Sequence, residues 1–314
     1  MNLTDCKVGV VVPFYNGNKY IERLLSSILN SRKDKFYLQI VIVDNGIEEI
    51  ELSILERYGD SIIVLKEKLH LGYGKACNIG MDFFRYFSFD YIVVLNQDGH
   101  VSENMINDVL QPLIIDKNIF LSVPIIKEYD GTSIEDFFIK YYISQCPDYF
   151  NDLLIAKAKP WYGIDKISGA CFAMRVMSVV ELPYLFDENF HMYYEDEDLS
   201  RRIILMNKKI VLISGDSCFF HQHSNTTDLT YKNKITKHKV YSLKVLYLKD
   251  LRNKMVIRFI KLWYLTFGEL IKNFILLKFR LFGYEIFGLM KVVLRLGSIS
   301  KKRILDLRMI SDQK

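Results

Sequence analysis

The stretch YIVVLNQDGHV, Tyr91 to Val101, decides the fold predicted for this chain. Five residues suited to a sheet interior end abruptly at Asn96, Gln97 and Asp98. A short apolar run that stops at polar residues is typical of a buried strand reaching the edge of a parallel sheet. The segment therefore predicts a strand followed by a polar loop at the sheet edge.

Three earlier segments repeat the pattern: KVGVVV (Lys7 to Val12), YLQIVIVD (Tyr37 to Asp44) and SIIVL (Ser61 to Leu65). Helix-length segments separate them, and KYIERLLSSILNS (Lys19 to Ser31) has apolar residues at helical spacing. This alternation predicts an α/β fold with a mostly parallel central sheet flanked by helices. Ligands bind at the carboxyl ends of such strands, where this chain has the polar loops PFYNGN, DNG, LGYGKACN and NQDGH.

The composition is that of a globular protein with a sizeable core. The chain has 314 residues and 50% of them are hydrophobic. The first apolar run ends at Pro13 and is too short for a signal peptide, so we expect a cytosolic chain. Five cysteines lie far apart without a C-x-x-C pair, which predicts reduced core residues: Cys6, Cys77, Cys146, Cys171 and Cys218.

The polar loops do not match two common nucleotide-binding motifs. The loop after the first strand contains only Gly17, whereas a dinucleotide site needs G-x-G-x-x-G. The segment from Gly72 to Ala76 lacks the spacing and the hydroxyl of a P-loop. It can still bring backbone amides and Lys75 to a phosphate, although flexible glycines at the start of a helix are the alternative interpretation.

Six segments in order resemble the inverting family-2 glycosyltransferases, especially the rhamnosyltransferase-like enzymes of bacterial surface-polysaccharide synthesis: VVPFYNG, VIVDNG, LGYGKACNIG, LNQDGHV, SGACFAMR and FDENFHMYYEDEDLSRRI. The resemblance spans roughly residues 7–230. It implies the Rossmann-like type-A nucleotide-sugar transferase fold, with a catalytic domain over 1–230 divided into a nucleotide-sugar half (1–100) and an acceptor half (101–230). It also implies that a nucleoside-diphosphate sugar is bound by Pro13, Tyr15, Asn16, Asp44, Gly72, Gly74, Lys75, Asn78, Asn96 and Gln97.

The same resemblance implies a divalent cation. Family members carry D-x-D or N-x-D after the fourth strand, and Asp98 matches the last acid, which would hold Mg²⁺ or Mn²⁺ against the donor diphosphate. Asn96 departs from the two-acid form, and an ordinary turn is the alternative interpretation. His221 is expected to complete the metal site, with His223 as its alternate. A zinc site is not expected, because no third Cys or His lies nearby.

The acidic run from Glu195 to Asp198 predicts a helix N-terminus, where the helix dipole favours negative charge. The resemblance implies that Asp196 is the general base toward the acceptor hydroxyl and that Glu195 orients the acceptor. We expect Asp198 to cap the helix or to pair with Arg201 or Arg202. The small residues Gly169 and Ala170 would leave room for the acceptor sugar, unless they serve close backbone packing instead. Residues 131–163 are expected to form a variable acceptor region.

The C-terminal region has a different charge from the rest. Residues 231–314 contain 20 Lys and Arg against 5 Asp and Glu, a net charge of +15, whereas residues 1–230 contain 22 against 32, a net charge of −10. The segment 253–279 predicts a cationic amphipathic helix, with its charges near helical spacing. The charged positions are Lys254, Arg258, Lys261, Glu269 and Lys272, and the apolar face includes Val256, Ile257, Phe259, Ile260, Trp263 and Tyr264.

A helix of this kind favours an anionic membrane surface, and its charges make it a poor membrane span. We therefore expect a peripheral protein at the cytoplasmic face of the cell membrane, acting on a polyprenyl-diphosphate-linked or other saccharide acceptor. The alternatives are a helical region packed on the core and a homo-oligomer formed through these helices. Nucleic acid is not expected, because no recognised reader motif accompanies the charge.

Three functional interpretations follow. The first is a non-processive transferase, because neither Trp161 nor Trp263 lies in the Q-x-x-R-W motif of processive members. A nucleotidyltransferase is the second, although it would need a longer glycine-rich loop after the first strand. A degenerate binding or scaffold protein is the third, supported only by Asn96 in place of an acid.

Overall fold

The computed structural model describes residues 6–32, 36–46, 49–68, 71–222 and 229–312. Within those ranges the strands are β1 (Lys7–Phe14), β2 (Tyr37–Asp44), β3 (Ile62–Lys66), β4 (Tyr91–Leu95), β5 (Gly99–Val101), β6 (Ile119–Val123), β7 (Ile125–Glu128), β8 (Trp161–Ile164), β9 (Cys171–Arg175), β10 (Lys209–Ile213) and β11 (Cys218–His221). The α-helices are α1 (Asn18–Asn30), α2 (Leu52–Tyr58), α3 (Tyr73–Tyr86), α4 (Met105–Ile115), α5 (Asp136–Gln145), α6 (Pro147–Leu154), α7 (Glu195–Leu205), α8 (Leu229–Lys249), α9 (Met255–Ile275) and α10 (Phe279–Asp312).

A mixed sheet forms the centre of the fold. Across the described residues its eight strands have the order β3-β2-β1-β4-β9-β6-β10-β8. The neighbours β3, β2, β1 and β4 are parallel, as the alternating sequence pattern predicts. In the second half, β9 is antiparallel to both β4 and β6, and β8 is antiparallel to β10. The predicted mostly parallel sheet is therefore confirmed for the first hundred residues and is mixed beyond them.

The core follows from the apolar runs and from the helix faces packed on them. Strands β1, β2 and β4 are buried along almost their whole length, and α1 buries the predicted face of Ile21, Leu24, Leu25 and Ile28. All five cysteines are buried and reduced, as predicted. The sheet is thus covered on both faces, and its polar residues are concentrated at the strand ends.

A small second sheet lies beside the carboxyl end of β4. Within the described ranges it has the order β5-β11-β7, with β11 antiparallel to β5 and parallel to β7. His221 pairs with Gly99 on one side and with Glu128 on the other. This register brings the end of β11 next to the loop that holds Asp98, because the Gln222 N–H donates to the Asp98 carbonyl at 2.8 Å.

The C-terminal helices α8, α9 and α10 pack on the rest of the chain and on one another. Their apolar cluster contains Tyr241, Val245, Leu262 and Val292 and takes in Phe190 from the loop before α7. Arg258, expected on the polar face of α9, is buried instead and donates to the carbonyl of Leu248. The inward side of α9 is therefore partly polar.

A buried ionic cluster joins this region to α7. The ammonium of Lys249 on α8 lies 2.7 Å from Asp187, 2.9 Å from Asp198 and 3.3 Å from Asp306 of α10. Arg202 lies 3.0 Å from Asp198, which confirms one of the two predicted ion pairs. Burial alone would lower the pKa of Lys249, but the neighbouring carboxylates raise it well above its usual value. The cluster keeps the cation charged between α7, α8 and α10.

We predict that Lys249→Met lowers the free energy of unfolding by about 3–5 kcal/mol, because three buried carboxylates lose their shared cation. Urea denaturation followed by circular dichroism measures the change. The control is Lys272→Met on α9, since Lys272 is 58% exposed and, in the part of the chain that the structure describes, its ion pair is with Glu269. Surface substitutions of that kind change stability by about 0.5 kcal/mol or less. Equal effects of the two substitutions would contradict the role assigned to the cluster.

Candidate active site

The loops after β1 and β4 are joined by two reciprocal hydrogen bonds. The Tyr15 N–H donates to Gln97 Oε1 at 2.6 Å, and Gln97 Nε2 donates to the Tyr15 carbonyl at 2.8 Å. A Cβ on Gly17 would lie 2.4 Å from the Gln97 side chain, so a larger residue there would displace the Gln97 amide from its hydrogen bonds to Tyr15. The two loops therefore form one wall, on which Pro13 is buried, Tyr15 is half-buried and Asn16 is exposed in the left-handed region.

The loop after β2 forms the next part of the same edge. Asp44 is buried, and its Oδ1 accepts the Gly46 N–H at 3.1 Å. The neighbouring Asn45 accepts the N–H of Leu71 at 3.1 Å and so connects this loop to the segment before α3. Asp44 thus lies in a loop at this edge, and its contact with a nucleotide stays a prediction.

The segment before α3 contacts the loop that leads to α7. Gly72 has a φ of +86°, and a Cβ there would lie 2.2 Å from the carbonyl oxygen of His191. A Cβ on Gly74 would lie 2.9 Å from the Cβ of Phe186. Both glycines are required by a close approach of two chain segments, in addition to any role near a phosphate.

Two further candidates near this segment have protein partners. Lys75 lies 3.7 Å from Glu188 in a half-exposed ion pair at the start of α3. Asn78 donates to the Phe186 carbonyl and accepts the Phe186 N–H, both at 2.9 Å. Asn78 therefore connects α3 to the loop before α7 through two hydrogen bonds. Its contact with a donor stays a prediction.

Asp98 and His221 meet at the edge of the small sheet. His221 Nε2 lies 3.4 Å from Asp98 Oδ1 and 3.2 Å from the Asn96 amide nitrogen. The other ring nitrogen, Nδ1, lies 3.0 Å from Oε1 of Glu135. Burial would lower the pKa of His221, but its hydrogen bonds to Asp98 and Glu135 raise that pKa to about 9. The alternate candidate, His223, lies outside the described residues.

The donor set fits a divalent cation that is shared with a substrate. One carboxylate and one imidazole converge, and both are ordinary ligands of such ions. Among the described residues no group of three or more His, Cys, Asp or Glu side chains could hold a metal alone. The pair would therefore need oxygen ligands from a bound diphosphate to complete the coordination.

The predicted acid pair lies at the start of α7. Asp196 Oδ2 accepts the N–H of Gly169 at 3.1 Å, and its Oδ1 accepts the N–H of Glu197 at 2.8 Å. Burial, with the neighbouring Asp196 charge, raises the pKa of Glu195 to about 8, and burial also raises the pKa of Asp196. The two backbone donors to Asp196 oppose this effect of burial and favour its ionised form. Two carboxyl groups with separated pKa values can divide acid and base roles.

The predicted acceptor residues connect the acid pair to the donor loops. The Gly169 carbonyl accepts the hydroxyl of Tyr73, and the Ala170 carbonyl accepts the N–H of Asn96 at 2.9 Å. A Cβ on Gly169 would only touch Tyr73 and Asp196, at 3.5 and 3.6 Å. The backbone carbonyls of these residues thus connect the two halves of the site, and their contact with an acceptor stays a prediction.

The sequence analysis missed several residues around the site. Glu135 contacts His221, yet nothing in its local sequence distinguishes it from a surface acid. Lysines of α8 reach the site from the C-terminal region: Lys234 lies 5.7 Å from the ring of Tyr15, and Lys239 lies 4.3 Å from the ring of Tyr193. The net charge of residues 231–314 includes these lysines, but it does not predict their contacts with the site.

Comparison with known families gives an independent result. A family model described as glycosyl transferase family 2 matches residues 9–181. The chain belongs to glycosyl transferase family 2. Asp98 and Gly169 lie inside the matched range of this glycosyltransferase, whereas Glu195, Asp196 and His221 lie beyond it.

Two curated proteins show the range of its relatives. The chain is 22% identical over 250 residues to Glycosyltransferase GlyG of Streptococcus pneumoniae serotype 4, covering 76% of this chain and 79% of GlyG. It is 26% identical over 105 residues to Poly(ribitol-phosphate) beta-N-acetylglucosaminyltransferase TarS of Staphylococcus aureus (strain Mu50), covering 32% of this chain and 18% of TarS. The second match therefore spans less than a fifth of that relative.

Solved structures confirm the fold. Mannosyltransferase PcManGT from Pyrobaculum calidifontis, in complex with GDP-Man and Mn²⁺, matches with a TM-score of 0.55 at 15% identity, covering 98% of this chain and 85% of PcManGT. TarS residues 1–349 from S. aureus with UDP match with a TM-score of 0.52 at 17% identity, covering 80% of this chain and 68% of TarS 1–349. The family-2 glycosyltransferase thus has the predicted type-A fold with helices at its C-terminal end.

The raised pKa of Glu195 predicts how the stability of the folded protein depends on pH. Its folded-state pKa of about 8 exceeds the ordinary value of 4.5, so the folded protein binds more protons than the unfolded chain between those values. Stability of the glycosyltransferase should therefore fall as pH rises from about 5 to about 8, by up to about 1.4 kcal/mol per pH unit from this group.

Urea denaturation of the wild type and Glu195→Gln between pH 5 and pH 8 measures this effect. We expect Glu195→Gln to gain stability relative to the wild type as pH rises, because its amide does not ionise. Glu188→Gln is the control, since Glu188 is exposed on the same loop region. Parallel pH curves for the wild type and Glu195→Gln would show that Glu195 is not the buried group described.

Proposed function

We propose that this glycosyltransferase is an inverting, non-processive enzyme that moves one sugar from a nucleoside-diphosphate donor to a saccharide acceptor. The observation that supports the proposal most is a hydrogen-bonded connection between Asp98 with His221 and the acid pair Glu195 and Asp196. Asn96, which contacts His221, donates its N–H to the Ala170 carbonyl, and the adjacent Gly169 donates its N–H to Asp196. Asp98 and His221 suit a cation bound to a diphosphate, and Glu195 and Asp196 suit proton transfer. A family-2 transferase needs both at one site.

The donor would lie along the wall formed by Tyr15, Gln97 and Asp44. A divalent cation, Mg²⁺ or Mn²⁺, held by Asp98 and His221 would neutralise the leaving nucleoside diphosphate. Lys75 and the start of α3 would lie near the same phosphates, where a helix N-terminus favours negative charge. In support, PcManGT was solved with GDP-Man and Mn²⁺ and TarS with UDP.

Asp196 would act as the general base. The acceptor hydroxyl would attack the anomeric carbon from the side opposite the diphosphate, while Asp196 takes its proton, and this single displacement inverts the configuration. Glu195 is protonated at neutral pH because its pKa is about 8. Among the described residues no hydrogen-bond partner faces its buried Oε2, so this carboxyl is available to orient an acceptor hydroxyl.

We propose surface-polysaccharide synthesis as the process. Support comes from TarS, whose name gives poly(ribitol-phosphate) as the acceptor, and from the resemblance of the six sequence segments to the rhamnosyltransferase-like enzymes. A lipid-linked saccharide, such as one on polyprenyl diphosphate, is the proposed acceptor because the C-terminal region has a surface suited to a membrane. The same surface would hold the enzyme near an acceptor that stays in the bilayer.

Two isosteric variants test the chemistry. Asp196→Asn should lower sugar transfer by about 10²–10⁴-fold while metal-dependent donor binding persists, because only proton acceptance is lost. Asp98→Asn should instead abolish the rise in melting temperature that Mn²⁺ adds in the presence of UDP, GDP or dTDP. Transfer is measured as nucleotide release with a saccharide acceptor, and Asp82→Asn on the exposed side of α3 is the control.

The outcomes separate the alternatives. If Asp196→Asn transferred sugar at the wild-type rate and Glu195→Gln were inactive, Glu195 would be the base and Asp196 would orient the acceptor. Unchanged metal dependence in Asp98→Asn would reject Asp98 as a ligand. A wild type that binds nucleotides and neither transfers nor hydrolyses any donor would be a degenerate binding protein, and one that makes nucleotide sugars would be a nucleotidyltransferase.

The membrane proposal depends on the outward side of α9. The buried side chains of this helix are Arg258, Leu262, Thr266 and Asn273, so half of its protein-facing positions are charged or amide-bearing. The large apolar residues point outward instead, with Trp263 at 55% and Tyr264 at 78% exposure. The exposed apolar surface of α9 and α10 includes Val256, Ile257, Ile260, Trp263, Tyr264, Phe267, Ile271, Phe274, Phe279, Phe287, Met290, Val293 and Leu294.

Basic residues border this apolar surface. Lys254, Lys261, Lys272, Lys278 and Arg280 are exposed on or beside α9. Exposed aromatic and aliphatic side chains among lysines suit the headgroup boundary of an anionic bilayer. No helix within the described ranges is long and apolar enough to span a membrane. The proposed attachment is therefore to the surface of the bilayer.

Co-sedimentation with anionic and neutral liposomes tests the attachment of the full chain. We expect binding to anionic vesicles at low salt and a large loss of binding in the triple variant Trp263→Ser, Tyr264→Ser and Phe267→Ser. The control is Tyr86→Ser with Leu154→Ser, two residues exposed elsewhere at 83% and 86%. Truncation before α8 is unsuitable, since it removes Lys249 and leaves Asp187 and Asp198 buried without it.

Light scattering without vesicles addresses the alternative partner. A wild-type dimer that becomes a monomer in the triple variant, combined with no sedimentation on anionic vesicles, would show that the face binds a second copy of the chain. A wild-type monomer that stays in the supernatant with those vesicles at low salt would reject membrane attachment.

A further inference from the structure

Glu135 is a buried acid inside the predicted variable acceptor region, residues 131–163, and the sequence predicted no individual role for it. It lies directly before α5, is 1% exposed, and places its Oε1 3.0 Å from His221 Nδ1. On the opposite side of the same ring, Nε2 lies 3.4 Å from Asp98 Oδ1. The imidazole thus lies between two carboxylates, with one ring nitrogen directed at each.

The backbone fixes Glu135 in this position. Its N–H donates to the Ile126 carbonyl of β7 at 3.1 Å, and its carbonyl accepts the Ile139 N–H of α5 at 3.0 Å. Strand β7 is paired in turn with β11, which carries His221. The acid is therefore held beside β7, the strand next to the one that carries the histidine.

We propose that Glu135 is a positioning residue for His221 in the metal site, an inference that rests on the proposed metal-dependent function. By accepting the Nδ1–H, its carboxylate keeps one proton on Nδ1, so that a cation that displaces the proton from Nε2 would meet the Nε2 lone pair on the side of the ring that faces Asp98. Carboxylates behind metal-binding histidines orient the ring and raise the basicity of the ligand, and their loss typically weakens metal binding by about 10–100-fold. Glu135 thereby extends the site from two ligands to a carboxylate–histidine–metal arrangement.

A purely structural interpretation makes a different prediction. If Glu135 only stabilised the fold through an ion pair with His221, its substitution would lower the melting temperature and leave metal affinity unchanged. If Glu135 acts through His221, the main effect is on metal affinity. The decisive quantity is therefore the dissociation constant for Mn²⁺ in the folded protein, measured separately from activity.

The experiment measures Mn²⁺ binding by electron paramagnetic resonance in the presence of saturating nucleoside diphosphate, taken from UDP, GDP and dTDP as the one that raises the melting temperature most. Glu135→Gln should weaken Mn²⁺ binding by about 10–100-fold, and Glu135→Ala by at least as much. Turnover of Glu135→Gln should approach the wild-type rate once Mn²⁺ is saturating. Asp136→Asn, the exposed neighbouring residue, is the matched control and should bind Mn²⁺ as the wild type does.

A double-mutant cycle with His221→Gln tests whether Glu135 affects Mn²⁺ affinity through His221. In the His221→Gln background, Glu135→Gln should cause no further loss of Mn²⁺ affinity, because the ring through which it acts is gone. A full additional loss would overturn the proposal. Melting curves without metal confirm that each variant is folded at the temperature of measurement.

Two results distinguish failure of this inference from failure of the proposed function. If Asp98→Asn and His221→Gln lose Mn²⁺ affinity while both Glu135 variants keep it, Glu135 has no positioning role and the metal site stands. If all of these variants bind Mn²⁺ like the wild type, the proposed metal site itself is wrong.

Discussion

Parallel pairing of β1 with both β2 and β4 is the constraint on which the whole site depends. It places the carboxyl ends of three strands at one edge of the sheet, so backbone pairing alone brings the loops after these strands together. The loops are then joined by the hydrogen bonds between Gln97 and Tyr15 and by the contact of Gly72 with His191. Several residues expected to bind a donor are thus also the ones that hold the loops together.

Gathering acids around α7 creates an electrostatic cost that the C-terminal helices offset. Glu195, Asp196 and Asp198 lie within one turn, and Asp187 approaches from the preceding loop. Lys249 brings a compensating positive charge from α8, and α10 adds Asp306 to the same cluster. Part of the opposite charge of the two regions is therefore neutralised inside the molecule. The exposed lysines on and beside α9 take no part in this internal neutralisation.

The sequence alone predicted the first four sheet strands closely, because continuous apolar runs bounded by turn residues are a local signal. Burial of Arg258 was not predicted, because an amphipathic pattern assumes that charged residues face water. In the structure the guanidinium is buried and donates a hydrogen bond to the Leu248 carbonyl. The antiparallel direction of β9 was also hidden, because periodicity carries no information about strand direction. Asp98 and His221 were paired only through a family resemblance, and Glu135 gave no signal, since its partner is 86 residues away.

The C-terminal helices also support the geometry of the acid pair. Tyr193 and Tyr194 both have a positive φ, at 69° and 68°, immediately before Glu195. Such residues cost about 1–3 kcal/mol each and persist only where the surroundings hold them.

Helix α8 supplies that support along the whole turn. The ring of His238 lies 4.5 Å from that of His191, the Ser242 hydroxyl donates to the Met192 carbonyl at 2.8 Å, and Lys239 lies over Tyr193. Tyr194 packs against the apolar cluster of the C-terminal helices. The strained turn fixes where α7 begins and so where Asp196 points. The region proposed to bind a membrane surface is therefore also part of the scaffold that positions Asp196, the proposed base.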